Sequence, residues 1–80
     1  MKTRFNPSEI TLIKHWAEDS NIKPDYVTIY RYPKMGMYNY RVLIADGDNY
    51  SVMDFFNQKH ELFDTIALSR QLLNIFKTIY

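Results

Sequence analysis

The chain has 80 residues, of which 46% are hydrophobic and 24% charged, and its net charge is +1. This size and balance predict one soluble globular domain over residues 1–80, with a small but sufficient core. The chain has no cysteine, which excludes disulfides, thiolate metal ligands and cysteine nucleophiles. No apolar run approaches the ~18 residues of a membrane span, and no apolar stretch follows the N-terminus as in a signal peptide. We therefore expect a cytoplasmic protein that does not enter a membrane.

The first predicted element is a helix over residues 7–20. Asn6 can cap its N-terminus, Pro7 suits its first position, and Glu9 can complete a capping box. Behind this start, apolar residues recur at helical spacing. These residues are Ile10, Ile13, Trp16 and Ala17. Pro24 predicts that the helix has ended before it.

Two strands and a turn follow. Residues 25–32 are rich in β-branched residues and tyrosine, which favours a strand. Both faces of this strand are apolar or aromatic, so the face that points to the core stays open. Residues 33–36 predict a turn and residues 37–45 predict a second strand, in which apolar and polar residues alternate. The core face of the second strand would consist of Tyr40, Val42 and Ile44.

The second hairpin has two candidate registers. A three-residue loop at 46–48 pairs Ile44 with Tyr50 and Val42 with Val52, which collects apolar residues on one face. A two-residue turn that begins at the same position places a polar residue opposite Ile44, which fits the pattern less well. We therefore expect the three-residue loop.

The last part of the chain carries the strongest helical pattern. We expect the third strand over residues 49–53 and a connection or early helical turn over residues 54–58. Residues 59–80 contain no Gly or Pro and predict one long amphipathic helix, which we expect to be the largest source of core stabilisation. The expected core residues of the two helices are Trp16, Ile66, Leu73 and Phe76.

The order of elements predicts the fold. It is an α+β fold with the order α-β-β-β-α, in which a three-stranded antiparallel sheet carries two helices packed on one face. Short connections favour a simple meander.

This order resembles the double-stranded-RNA-binding domain. Residues 6–7 match the Asn-Pro-like start of that family's first helix, and residues 24–26 match the Pro-x-Tyr at its first strand. Tyr40 lies where an aromatic residue commonly opens the second strand. Residues 59–63 and 66–67 occupy the places of the lysine-rich start and the small-residue pair of the last helix. The resemblance covers nearly the whole chain and implies duplex RNA as a candidate ligand.

The family's RNA-contacting residues are matched in part. Residues 33–36 stand where its Gly-Pro-x-His loop would lie, but they contain no histidine. In the basic cluster of the last helix, Lys59 is retained and Phe63 replaces a lysine, while Glu61 and Asp64 add negative charge where phosphates would dock. The candidate nucleic-acid contacts are Lys23, Arg31, Lys34, Arg41, Lys59 and His60.

Aromatic and sulfur-containing residues crowd the first hairpin. Because a two-layer domain buries only one face of its sheet, some of these tyrosines must be exposed, and exposed Tyr and Met favour protein contacts. The candidate interface residues are Tyr30, Tyr32, Met35, Met37, Tyr38 and Phe63. We expect a protein partner or a second copy of the chain at this surface.

The sequence contains no catalytic or metal-binding pattern. Neither His15 nor His60 has another histidine or a carboxylate pair at ligand spacing, so both are interpreted as helix-surface residues. We expect no enzyme activity, no cofactor, no metal and no small-molecule substrate. The predicted function is a non-catalytic protein-interaction module, such as an adaptor, inhibitor or accessory protein. Double-stranded RNA binding is the alternative.

Overall fold

A computed structural model describes residues 5–58 and 64–79. Its elements are α1 (Pro7–Asp19), β1 (Tyr26–Lys34), β2 (Met37–Asp46), β3 (Asn49–Gln58) and α2 (Thr65–Ile79). The strands form one antiparallel sheet in the order β1-β2-β3, so β2 is central and the other two are edges. The predicted α-β-β-β-α meander is confirmed. Neither described helix is long and apolar enough to cross a membrane.

The N-terminus of α1 is held by the predicted capping box. The side-chain oxygen of Asn6 accepts from the backbone N–H of Glu9 at 2.9 Å, and the Glu9 carboxylate accepts from the backbone N–H of Asn6 at 3.1 Å. Two donors that the helix leaves unpaired are thereby satisfied. After the helix, Asn21 adopts a left-handed conformation with φ of 55°, which turns the chain toward β1.

The core lies on one face of the sheet, and both helices cover that face. One buried cluster joins residues of every element. From the strands it contains Val27, Ile29, Tyr40, Val42, Ile44 and Phe55; from the helices it contains Ile13, Ala17, Leu68, Leu72 and Phe76. Because the buried strand residues lie on one face of the sheet and form one cluster with the buried residues of both helices, the two helices lie on the same side of the sheet. The predicted arrangement and the predicted core face of β2 are confirmed.

Trp16 ties α1 to the sheet through its polar end. The partly buried ring packs against the core, and its indole N–H donates to the Ser51 hydroxyl at 3.0 Å. The Ser20 hydroxyl donates to the same oxygen at 3.3 Å. Ser51 faces the helices because it lies directly opposite the buried Ile44. These bonds let Trp16 contribute apolar area without leaving its N–H unpaired.

The structure corrects the buried side of α2. Phe76 is buried and Leu73 packs against the core, as predicted, but Ile66 is 67% exposed. The buried residues Leu68, Leu72 and Phe76 repeat every four positions. Ile66 lies about 120° around the helix from Leu72, at 100° per residue, and so points to the flank.

The start of α2 also differs from the prediction. The helix predicted over residues 59–80 is confirmed from Thr65 to Ile79. Its first turn is capped by the Asp64 side chain, which accepts from the backbone N–H of Ala67 at 3.0 Å. Residues 59–63, which include three candidate site residues, lie outside the described residues.

The β2–β3 hairpin has a shorter loop than predicted. Asp46 and Asn49 are paired, so Gly47 and Asp48 form a two-residue turn. Gly47 has φ of 60°, whereas Asp48 does not have a positive φ. This is the combination of a type II′ turn, whose twist suits paired antiparallel strands and which requires glycine at the first position.

The shorter loop changes the register. The predicted pairs of Ile44 with Tyr50 and of Val42 with Val52 are wrong by one residue. In the structure Ile44 pairs with Ser51, and Val42 pairs with Met53. A shift of one residue moves every side chain of a strand to the other face. Tyr50 and Val52 therefore point away from the helices.

β3 extends further than predicted. Residues 54–58, expected to be a connection or an early helical turn, are strand. Phe55 pairs with Tyr40 of the central strand and is buried. Its ring centroid lies 5.2 Å from that of the buried Phe5, just before α1. This aromatic contact holds Phe55 in the core as a strand residue, which favours strand over helix for this stretch.

Candidate functional site

One face of the sheet is covered by neither described helix, and we call it the outer face. The register aligns its residues in three rows that cross all three strands and a fourth row that joins β1 and β2. The complete rows are Tyr26, Ala45 and Tyr50; Thr28, Leu43 and Val52; and Tyr30, Arg41 and Asp54; the fourth row is Tyr32 and Asn39. Phe56 follows the core-facing Phe55 in β3 and is exposed on the outer face. The outer face thus combines aromatic and aliphatic residues from every strand.

Large apolar side chains are exposed across the outer face. Tyr26, Tyr30, Tyr50 and Phe56 are each more than half exposed, and Val52 is 40% exposed. Scattered exposed apolar residues are common on soluble proteins, but contiguous ones mark interaction sites. Because these residues are cross-strand neighbours, the outer face has the composition and continuity of a contact surface.

An ion pair lies in the middle of the outer face. The Arg41 Nε–H donates to Asp54 Oδ1 at 2.8 Å, and Nη2 donates to Oδ2 at 3.2 Å. These hydrogen bonds hold the pKa of the Asp54 carboxyl below its usual range and raise the pKa of the Arg41 guanidinium. At neutral pH both groups are ionised and their charges cancel. The paired charges leave the centre of the outer face polar but without net charge.

A β-bulge shapes one end of the outer face. Residues 38–40 of β2 lie across from residues 55–58 of β3, so β3 holds one extra residue in this stretch. Bulges increase twist and redirect side chains. Asn39 is 2% exposed here, although it alternates with the core-facing Tyr38 and Tyr40 and so lies on the outer face. Phe56, in the bulged stretch of β3, is 57% exposed.

The tip of the first hairpin carries a strained, exposed methionine. Met35 and Gly36 form the two-residue turn, with φ values of 54° and 76°. Both positive values are those of a type I′ turn, which favours Asn-Gly. Met35 is 93% exposed, so its side chain gains no packing in return. Strain without a packing benefit is the kind of feature that points to a role in binding.

We expect Met35→Asn to stabilise the domain by about 1 kcal/mol, because asparagine tolerates the left-handed conformation that costs methionine about that much. The free energy of unfolding in urea is the measurement. Met35→Ala is the matched control, since it removes the same side chain but leaves a residue with the same backbone penalty. Equal stability of the Asn and Ala variants would show that the turn is not strained.

The predicted interface residues do not all share one surface. Tyr30 and Tyr32 lie on the outer face, Met35 is at the adjoining hairpin tip, and Met37 is partly buried beside it. Tyr38 faces the helix side, where it packs against the core. Phe63 lies outside the described residues.

The predicted basic residues are also divided. Arg31 pairs in register with the buried Tyr40, on the helix side, and its guanidinium carbon lies 5.4 Å from the centre of the Tyr38 ring. Arg41 is on the outer face, and Lys23 is exposed in the α1–β1 connection. Lys34 ends β1. Lys59 and His60 lie outside the described residues. The sheet therefore separates its two arginines rather than joining them in one basic surface.

Four large exposed apolar residues of the outer face were not among the sequence-based candidates: Tyr26, Tyr50, Val52 and Phe56. For Tyr50 and Val52 the cause is the register, because the three-residue loop places them on the core face. For Phe56 the cause is the early end predicted for β3. The available signal for a longer strand was the pair of strand-favouring phenylalanines at 55 and 56, which follows residues 49–53 without an intervening Gly or Pro.

The remaining polar groups do not assemble into a metal centre within residues 5–58 and 64–79. No three or more His, Asp or Glu side chains in these ranges are placed to hold a metal ion. His15 is exposed on α1, with its Nδ1 3.9 Å from Glu18 Oε2.

The chain matches no protein-family model, no curated protein and no solved structure. The outer face is therefore the feature of the molecule from which a function follows most directly.

Proposed function

We propose that the chain is a non-catalytic protein-binding domain and that the outer face is its binding surface. The observation that supports this proposal is the continuous exposure of Tyr26, Tyr30, Tyr50, Val52 and Phe56 across the sheet. Aromatic residues are enriched in the buried centres of protein interfaces and supply many of their hot spots. A sheet holds them in fixed positions, so little side-chain entropy is lost on binding.

The chemistry of the outer face fits a protein better than a nucleic acid. Phosphate backbones are held mainly by clustered lysine and arginine. Arg41 is the one cation in the described rows of the outer face, and Asp54 neutralises it. A protein partner, by contrast, needs apolar contact and a few oriented polar groups, which the tyrosine hydroxyls and the ion pair provide. An adaptor, inhibitor or accessory protein in the cytoplasm, working through another protein or a second copy of itself, would use such a surface.

Double-stranded RNA binding is the alternative, and the α-β-β-β-α order supports it. A chain of the double-stranded-RNA-binding family would share this order. Its candidate RNA contacts away from the outer face are Lys23, Arg31, Lys34, Lys59 and His60. The two proposals therefore use different surfaces and can be separated.

The test is purification of the tagged chain from its native cells, with recovered protein and nucleic acid scored separately. Half of each sample is treated with nuclease before elution. We expect a stoichiometric protein partner, or a dimer of the chain, that survives nuclease. Recovery of structured RNA, together with loss of any recovered protein after nuclease treatment, would favour double-stranded RNA binding over protein binding.

We also expect a duplex of ~20 base pairs to bind with a dissociation constant weaker than about 10 μM at near-physiological salt, in the range of non-specific contacts. The measurement is a titration of the chain with the duplex at two salt concentrations, for the wild type and for Lys59→Glu. In a separate assay of biological activity, we expect Lys59→Glu to cause little change. Submicromolar binding that falls steeply with salt and is abolished by Lys59→Glu would establish the chain as an RNA-binding domain instead.

A further inference from the structure

A groove of about 350 Å³ lies between the edge strand β1 and helix α2, apart from the centre of the outer face. One wall is formed by four consecutive β1 residues, Tyr26 to Ile29. Side chains of consecutive strand residues point to opposite faces, so a groove that touches all four must follow the edge of the backbone. The other wall comes from one side of α2, between Thr65 and Leu73.

The edge of β1 supplies the backbone chemistry of a strand-binding site. β1 pairs with β2 on one side, and among the described strands nothing pairs with its other side. In an antiparallel strand, alternate residues direct their N–H and C=O groups outward. The four-residue stretch at the groove is about 13 Å long, at ~3.3 Å per residue. It can therefore pair with a short extended segment.

The α2 wall supplies side-chain chemistry. Ile66 is 67% exposed and Leu73 is partly buried, so together they offer an apolar surface next to the strand edge. Thr65 and Ser69 add hydroxyl groups. Arg70 is exposed on the same wall and is the one charged residue among those that line the groove. Among the described residues, no acidic side chain lines the groove, so a ligand carboxylate would meet a cation without a competing anion from this part of the chain.

We propose that this groove binds an extended peptide segment with β-branched aliphatic side chains and one carboxylate. The segment adds to β1 as a fourth strand of the sheet, which is a recurrent mode of peptide recognition. Its alternate aliphatic side chains contact Ile66 and Leu73, and its carboxylate pairs with Arg70. The groove shares Tyr26 and Thr28 with the edge of the outer face, but its α2 wall does not belong to that face, and the peptide proposal does not depend on the outer-face proposal.

The charge of β1 argues against a second copy of the chain as the occupant. β1 has the sequence Tyr-Val-Thr-Ile-Tyr-Arg-Tyr-Pro-Lys, which offers β-branched residues but no acidic residue. A β1 strand from another copy would bring a second cation toward Arg70 and leave it without a partner. An acidic peptide removes this like-charge contact.

The test uses a fluorescein-labelled, terminally blocked peptide, Thr-Glu-Thr-Val-Thr-Val, whose glutamate and valines share one face. Its counterpart carries lysine in place of glutamate. We expect the folded chain to bind the glutamate peptide about fivefold more tightly than the lysine peptide, the scale of an exposed ion pair, with a difference that shrinks as salt rises. Arg70→Glu should invert the preference, and Ile66→Ser should weaken the binding of both peptides.

Two exposed α2 residues outside the groove provide matched controls. Lys77→Glu makes the same charge change as Arg70→Glu, and Ile79→Ser makes the same polarity change as Ile66→Ser. Neither should alter peptide binding. Amide NMR signals of residues 26–29 and 66–73 should shift on binding, and outward-facing amides of residues 26–29 should become protected from exchange.

Several results would overturn the proposal. The first is that peptide binding gives no saturable signal up to ~1 mM peptide. The second is that Arg70→Glu keeps the preference for the glutamate peptide. The third is that the control variants Lys77→Glu and Ile79→Ser change peptide binding as much as Arg70→Glu and Ile66→Ser do. Changes of amide NMR signals confined to residues 50–56 would show that the peptide binds at β3 and the outer face instead of the groove. Sedimentation of the chain alone as a dimer that Arg70→Glu strengthens would assign the groove to a second copy.

Discussion

Replacing Phe76 by alanine should destabilise the domain by about 3–5 kcal/mol, because it removes a ring from a site that cannot collapse around the space. Phe76 is 1% exposed and is the last of the three buried residues of α2. Small domains have a total stability of only about 5–15 kcal/mol, so the variant should be largely unfolded or should melt far below the wild type. Urea and thermal unfolding, followed by circular dichroism, measure the change.

Ile66→Ala is the matched control on the same helix. The sequence pattern groups Ile66 with the core residues, whereas the structure leaves it 67% exposed. Its replacement should change the free energy of unfolding by no more than about 0.5 kcal/mol. If Ile66→Ala costs as much as Phe76→Ala, or if Phe76→Ala melts within a few degrees of the wild type, α2 does not pack on the sheet through the Leu68–Leu72–Phe76 row.

Local signals in the sequence are enough to predict most of the elements. The capping box at Asn6 and Glu9 defines the start of α1 because all of its hydrogen bonds lie within one turn. The alternation of Tyr40, Val42 and Ile44 defines the core face of β2 because that strand is central and has one buried side. Such features need no knowledge of the rest of the chain.

The register of the second hairpin could not be obtained from the apolar pattern alone. The observed register, with its turn at Gly47 and Asp48, and the register of the three-residue loop both produce apolar cross-strand pairs, because Tyr50 and Val52 can serve on either face. A charge pair separates the two registers. In the observed one, Arg41 lies directly opposite Asp54 and hydrogen-bonds it, whereas the register of the three-residue loop places Arg41 opposite Met53. Opposite charges that lie directly across a strand pair stabilise the register that aligns them. Asp54 lies beyond residue 53, the predicted end of the third strand, so the prediction does not include this pair.

The candidate site depends on that register, which is why only part of it could be predicted. Tyr30, Tyr32 and Met35 belong to the first hairpin, where the tight turn sets the pairing. Tyr50 and Phe56 reach the outer face only because β3 pairs as it does and continues through residues 54–58. The division of Arg31 and Arg41 between two faces follows from the opposite directions of neighbouring side chains in paired strands. A list of basic residues along the chain does not show this division.

Truncation of an aromatic side chain on the outer face should strongly weaken partner binding while the fold stays intact. Tyr30→Ala and Phe56→Ala each remove an aromatic group that is more than half exposed, one on β1 and one on β3. Loss of an interface hot spot typically costs 2 kcal/mol or more, so we expect each variant to bind the purified partner about 30-fold more weakly. Because these rings contribute little to the core, the melting temperature should change by only a few degrees.

Leu12 provides the control for a general effect of exposed apolar surface. It is 50% exposed on α1, on the opposite side of the domain from the outer face. Leu12→Ala should leave the dissociation constant of the partner complex within about twofold of the wild type, as for a residue outside the interface. Calorimetry or fluorescence anisotropy with the purified partner measures all three variants. If Leu12→Ala weakens binding as strongly as Tyr30→Ala and Phe56→Ala, or if those two variants bind like the wild type, the binding surface is elsewhere. Weak binding by all three, together with unfolded spectra, would show instead that these side chains support the fold.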